Sequence, residues 1–98
     1  MTDVAKVFLA VDLGASSGRV VAGLFDGAKL TLEEVYRFDN GGASLAGRMQ
    51  WDLINQWSHI QRGLLAGGKL YRGQVASIGV DTWGVDFGLL GRGDELLG

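Results

Sequence analysis

Two short segments carry side chains that can do chemistry. The first is Asp12-Leu13-Gly14-Ala15-Ser16-Ser17-Gly18-Arg19. It closes an apolar run with a carboxylate, continues in a turn of small residues and ends on a guanidinium. A phosphate chain needs a turn of this kind, because backbone N–H groups reach its oxygens only where no bulky side chain stands in the way. Serine hydroxyls add donors, and Arg19 adds a planar cationic fork. Asp12 suits magnesium, a hard ion that takes oxygen ligands and keeps several waters. A carboxylate closing an apolar strand is costly unless it is solvated, paired or holding a metal. A plain Gly/Ser hairpin with an aspartate at the strand end has the same composition, and that reading stays open. The segment is not a P-loop, since it lacks Gly-Lys-Ser/Thr and runs into a strand pattern rather than a helix.

The second segment is Asp81-Thr82-Trp83-Gly84-Val85-Asp86-Phe87. Trp83 offers an apolar plate with one N–H donor, suited to a sugar ring or a methyl group. Gly84 lets a ligand approach the backbone, and Asp81 and Asp86 can accept hydrogen bonds from hydroxyls. In open α/β sheets, ligands gather near the carboxyl ends of parallel strands. The competing reading is a connecting loop whose tryptophan packs into the core.

These segments need elements to hold them. Val7-Phe8-Leu9-Ala10-Val11 is apolar at every position and predicts a strand buried on both sides. Arg19 to Phe25 predicts a second strand, and Asp26-Gly27 a type I′ hairpin turn. In the third strand Leu30, Leu32, Tyr36 and Phe38 are expected on one face, with Thr31, Glu33 and Arg37 on the other. The Glu33-Glu34 pair reads as a solvated strand face. Asn40-Gly41-Gly42 opens a loop to about Met49. Asp52 is a good N-cap for a helix whose apolar stripe is Leu53, Trp57, Ile60 and Leu64, widened by Ile54 and Leu65. Gly67-Gly68 is expected to end it. On this reading Trp57 is a core residue, Trp51 packs where the helix begins, and His59 lies off the stripe at the surface. Val75 to Val80 predicts a further buried strand, Val85 to Leu90 another, and Gly91-Arg92-Gly93-Asp94 a turn into a returning strand.

Bulk properties narrow the classes. The 98 residues suffice for one small core; 47% are hydrophobic and 20% charged, an ordinary globular balance. The net charge of −2 and the scattered basic residues argue against a nucleic-acid surface. With no cysteine, disulfides and thiolate metal sites are excluded. The start does not read as a signal peptide, and Val7 to Leu13 is too short to cross a bilayer. A cytoplasmic location without membrane partners is expected. Seventeen glycines and no proline mean that glycine supplies the turns.

Three antiparallel strands, a helix crossover and a further strand form the opening of a ribonuclease-H-like α/β domain, the superfold of sugar kinases, actins and heat-shock-chaperone ATPases. Fold alone does not choose among these. The two segments together resemble the FGGY carbohydrate kinases. Ala10-Val11-Asp12-Leu13-Gly14-Ala15-Ser16-Ser17-Gly18-Arg19 matches the family at large. Ile78-Gly79-Val80-Asp81-Thr82-Trp83-Gly84-Val85-Asp86-Phe87 looks like its rhamnulokinase-type form. Arg37-Phe38-Asp39-Asn40-Gly41 and Trp51-Asp52 extend the likeness over nearly the whole chain.

The resemblance implies phosphoryl transfer from ATP to the 1-hydroxyl of L-rhamnulose, giving L-rhamnulose 1-phosphate and ADP, with magnesium. It implies that Ala15, Ser16, Ser17, Gly18 and Arg19 form the first ATP-phosphate loop and that Asp12 holds Mg2+ through water. Gly84 corresponds to a substrate contact, with Trp83 and Thr82 beside it. The family's catalytic aspartate is expected beyond Gly98, so residues 1–98 correspond to an incomplete first domain, inactive alone. Another ketose such as xylulose or fuculose, or a non-catalytic nucleotide-binding module, are the alternative readings.

Overall fold

The computed structural model describes residues 6–45, 47–82, 84 and 88–97. Its elements are β1 (Lys6–Leu13), β2 (Ser17–Phe25), β3 (Leu30–Asp39), β4 (Ala43–Leu45), β5 (Arg48–Gln50), α1 (Leu53–Leu70), β6 (Val75–Thr82), β7 (Leu89–Leu90) and β8 (Leu96–Leu97). The main sheet has the order β3-β2-β1-β6. β1 pairs antiparallel with β2, β2 antiparallel with β3, and β6 lies parallel to β1. The fold is mixed α/β, with three meander strands, a helical crossover and a parallel edge strand, in the order the sequence predicts. A parallel partner for β1 requires such a crossover, and α1 provides it.

α1 lies against β3, β2 and the near part of β1. Under it Val7, Leu9, Val11, Val20, Ala22 and Phe38 are buried. The opposite face of the sheet is open. β1 therefore alternates, with Phe8 37% exposed between buried Val7 and Leu9, and is not buried on both sides as its unbroken apolar run suggests. β6 departs further from expectation: apart from half-buried Val75 it is exposed along its length. Ile78 and Val80 stand in register with Leu9 and Val11, on the helix side. They remain open because α1 lies over β2 and β3 rather than over this edge.

The turn after β2 is a hairpin, but its centre is Gly27-Ala28. Asp26 N–H donates to Lys29 O (3.2 Å), and only the first central residue, Gly27, has positive φ (103°). That is the requirement of a type II′ turn rather than type I′. Asp26 instead caps the turn, its Oδ1 accepting from Ala28 N (2.9 Å) and Lys29 N (2.7 Å).

β3 is bulged. Its register against β2 shifts between Val20 and Val21, so Val20 faces Tyr36 while Val21 faces Glu34. An extra residue in one strand reverses the inside–outside sense of everything beyond it. Leu30 and Leu32 consequently lie beside Gly23 on the open face, while Tyr36 and Phe38 lie on the helix face. The expectation that these four share one face fails at this bulge. Glu33 moves to the helix side and meets Tyr71. The segment read as a loop from Asn40 contains the short hairpin β4–β5.

α1 begins as predicted, Asp52 Oδ1 accepting from Asn55 N (3.0 Å). It runs through Gly67-Gly68 to Leu70. Its fully buried residues are Gly63 and Gly67; of the apolar stripe, Ile60 and Leu64 are half-buried, Leu64 against the Val7, Leu9 and Ala22 core. A Cβ on Gly63 would overlap Val20, and one on Gly67 would stand 2.9 Å from Leu9 Cδ1. The helix thus approaches the sheet on its glycines, because bulky side chains there would hold it off. Leu53, Ile54 and Trp57 are left exposed, Trp57 at 58%, so Trp57 is not a core residue. Past β6, Gly91 N donates to Glu95 O (2.8 Å), forming the predicted turn, with Asp94 at φ 63°. Of the strand expected over 85–90, Gly88 lies outside any strand and Leu89–Leu90 pairs with β8; positions 85–87 lie outside the described residues. No helix among the described residues is long and apolar enough to cross a membrane.

Candidate functional site

Because β6 runs parallel to β1, both chemical segments begin at one edge of the sheet. Leu13, which leads into the small-residue turn, is in register with Thr82, and Asp12 is in register with Asp81. The turn itself is tight: Gly14 N donates to Ser17 O (2.9 Å). Ala15 and Ser16 are exposed at its tip, Ser17 is half-buried and Gly18 is buried. The tip therefore offers backbone and hydroxyl donors to solvent, as an anion-binding turn must.

Register places Asp81, Asp12, Arg19 and Arg37 in one row across β6, β1, β2 and β3. The row lies on the open face, opposite α1. Arg19 bonds to Asp12 through Nε (3.1 Å) and Nη2 (2.9 Å), both on Oδ2. Their side chains are 41% and 38% exposed. A half-exposed pair of this kind contributes only about 0–1 kcal/mol, so it orients the two groups more than it stabilises the fold. The strand-end carboxylate is thus paired, which answers the cost of placing it there. Arg37 turns to Glu34 (2.7 Å), three residues back across the bulge. Asp12 and Asp81 are two oxygen donors on adjacent strands, a donor type that fits Mg2+. Among the described residues, no three His, Cys, Asp or Glu side chains form a metal-sized cluster.

Behind the turn, on the helix side, the sequence reading missed a supporting layer. Phe38 fills the space under Gly18, where any Cβ would overlap its ring. The missing side chain of Gly18 therefore makes room for Phe38. His59 stacks on Phe38 with ring centroids 4.8 Å apart and planes at 4°. Tyr36 Oη is hydrogen-bonded to His59 Nδ1 at 2.6 Å. His59 is thus half-buried and engaged, contrary to its expected surface position. Beside it, Asn40 binds the turn and Gln56 of α1. The available signal was the spacing of Gln56, His59, Gly63 and Gly67, a helix face disguised by its small and polar residues.

Of the predicted substrate contacts, Thr82 is exposed at the end of β6 and Gly84 is exposed with open space around its Cα. Trp83 lies outside the described residues, as does Asp86. The structure brings Asp12, Arg19, the Ala15–Ser17 tip and the end of β6 to one sheet edge.

No protein-family model matches the chain. Among curated proteins, it is 50% identical over 93 residues to a rhamnulokinase of Bacteroides thetaiotaomicron, covering 92% of this chain and 18% of that protein. It is 47% identical over 90 residues to a rhamnulokinase of Oceanobacillus iheyensis, covering 91% of this chain and 19% of the relative. A rhamnulokinase of Lactiplantibacillus plantarum is 41% identical over 92 residues, again covering 94% and 19%. Along nearly all its length the chain is therefore similar to rhamnulokinases, and it spans about a fifth of theirs.

Proposed function

We propose that the full-length protein carrying this chain is an ATP-dependent sugar kinase acting on the 1-hydroxyl of L-rhamnulose. The observation that carries the reading is the similarity to proteins named rhamnulokinase over both chemical segments. The common sheet edge of the Asp12–Arg19 turn and the end of β6 supports it. On this reading residues 1–98 open a ribonuclease-H-like domain that is completed by further chain, and do not phosphorylate sugar alone.

Each residue then has a stated task. Ala15, Ser16 and Ser17 present N–H and hydroxyl donors to the phosphate chain, and Gly18 lets the turn lie flat on Phe38. Arg19 holds Asp12 in place and supplies positive charge beside the phosphates. Asp12 is the residue that would hold Mg2+ through water; the ion, when bound, neutralises charge on the β- and γ-phosphates. Gly84, Thr82 and Trp83 form the sugar side. The sugar's 1-hydroxyl oxygen attacks the γ-phosphorus, the bond from that phosphorus to the β–γ bridging oxygen breaks, and ADP leaves. The hydroxyl proton passes to an aspartate expected beyond Gly98. The contribution of residues 1–98 is alignment and charge, the main sources of catalysis in this chemistry. A cytoplasmic location fits a small-molecule kinase.

The test is ADP release by the full-length protein with ATP, magnesium and a panel of ketoses. A kcat/KM highest for L-rhamnulose supports the assignment. Preference for xylulose or fuculose keeps the kinase and changes its sugar. Nucleotide binding without sugar-stimulated turnover identifies a non-catalytic module.

A further inference from the structure

Asn40 is a polar residue buried to 4% exposure, immediately beyond β3. A buried amide left without hydrogen-bond partners is costly, so its partners are informative. Asn40 spends its bonding capacity on the turn and on α1. Its N–H donates to Ser16 O (3.0 Å), and its Nδ2 donates to Gly14 O (2.7 Å). Its Oδ1 accepts from Gln56 Nε2 (2.7 Å). Two carbonyls of the small-residue turn are thereby drawn to one side chain and its backbone, and the helix fixes which way the amide points.

The consequence follows from peptide planarity. In a trans peptide the N–H points opposite to the C=O of the same unit, and no described peptide bond is cis. With Gly14 O and Ser16 O turned toward Asn40, the N–H groups of Ala15 and Ser17 are turned away from it. We propose that Asn40, oriented by Gln56, is the positioning residue that aims the Ala15 and Ser17 amides at the phosphate chain of ATP. The proposal rests on the sugar-kinase reading, and couples α1 to the nucleotide turn. Aspartate cannot replace Asn40, since it lacks the donor for Gly14 O and sets a negative oxygen against that carbonyl. Glutamate at position 56 accepts rather than donates, so it favours the flipped amide, with Oδ1 toward Gly14 O.

The experiment compares the full-length protein with Asn40→Asp and Gln56→Glu in steady-state kinetics, varying ATP and L-rhamnulose separately. Asn40→Asp is expected to raise KM for ATP about tenfold, equivalent to about 1.4 kcal/mol, with KM for the sugar within about twofold. Gln56→Glu is expected to move it in the same direction by less, and keeps the test available if Asn40→Asp does not fold. A loss confined to Tm or active fraction, with KM for ATP unchanged, overturns the proposal, as does a rise confined to KM for the sugar. If the wild type turns over no ketose, the kinase reading fails separately. Calorimetric binding of ATP with magnesium then decides: weaker binding in the variants supports the positioning role, and equal or absent binding ends it.

Discussion

Gly63 of α1 rests directly on Val20 of β2, with no room for a Cβ between them and Tyr36 Cδ1 only 3.2 Å from where it would stand. This contact sets the height of the helix above the sheet. It also sets the reach of Gln56 and His59, which lie two turns and one turn earlier on the same helix face.

Gly63→Ala is therefore expected to destabilise the protein even though alanine is the better helix former. Alanine gains about 1 kcal/mol of helix propensity, while overpacking a fitted contact costs about 1–3 kcal/mol. Gly68, in the same helix with open space around it, is the control: Gly68→Ala should stabilise by up to about 1 kcal/mol. Denaturant midpoints of the two variants should move in opposite directions.

Gly18→Ala should destabilise through the Phe38 ring by about 1–3 kcal/mol. Phe38→Leu in the same chain should recover part of that loss by opening space under the turn. If the double variant is as unstable as the sum of the two single ones, the contact is not what limits position 18.

The Asp12–Arg19 pair separates stability from chemistry. Asp12→Asn is expected to change stability by no more than about 1 kcal/mol, as for other half-exposed pairs. If Asp12 serves the magnesium–phosphate site, sugar-dependent ADP release by the full-length protein should fall about 100-fold, the scale seen when one charge-stabilising group is removed. Equal activity with an unchanged magnesium requirement would remove Asp12 from the mechanism.

Tyr71 and Asp26 govern opposite ends of the pH range. Burial, helped by the neighbouring Glu33 carboxylate, pushes the Tyr71 phenol from 10.0 up to about 12. The folded state holds this proton more tightly than the unfolded chain, so its stabilisation is full below about pH 10 and is lost as pH rises toward about 12. Tyr71→Phe should flatten the fall in Tm across that window. The Lys29 and Ala28 amides hold the Asp26 carboxyl below its usual 3.8. That contribution is present above the carboxylate range and fades as pH drops through it, and Asp26→Ala should erase it.

The amino-acid sequence determined the order of the main-sheet strands and the helix, the Asp52 cap and where the two candidate segments lie, because each depends on local periodicity, turn residues and a few neighbouring side chains. The Asp12–Arg19 turn needs only small residues between two strands, and it is legible for that reason. Three things depended on the tertiary structure. The β3 bulge carries Leu30 and Leu32 to the open face, since a single extra residue inverts an alternation that hydropathy cannot see being broken. α1 packs on Gly63 and Gly67 rather than on Leu53 and Trp57, because close approach to Val20 and Leu9 outweighs side-chain hydrophobicity at that surface. The pairing of β6 with β1, between residues far apart in sequence, sets Asp81 beside Asp12 and Thr82 beside the turn, and only the folded register makes one edge of two distant segments.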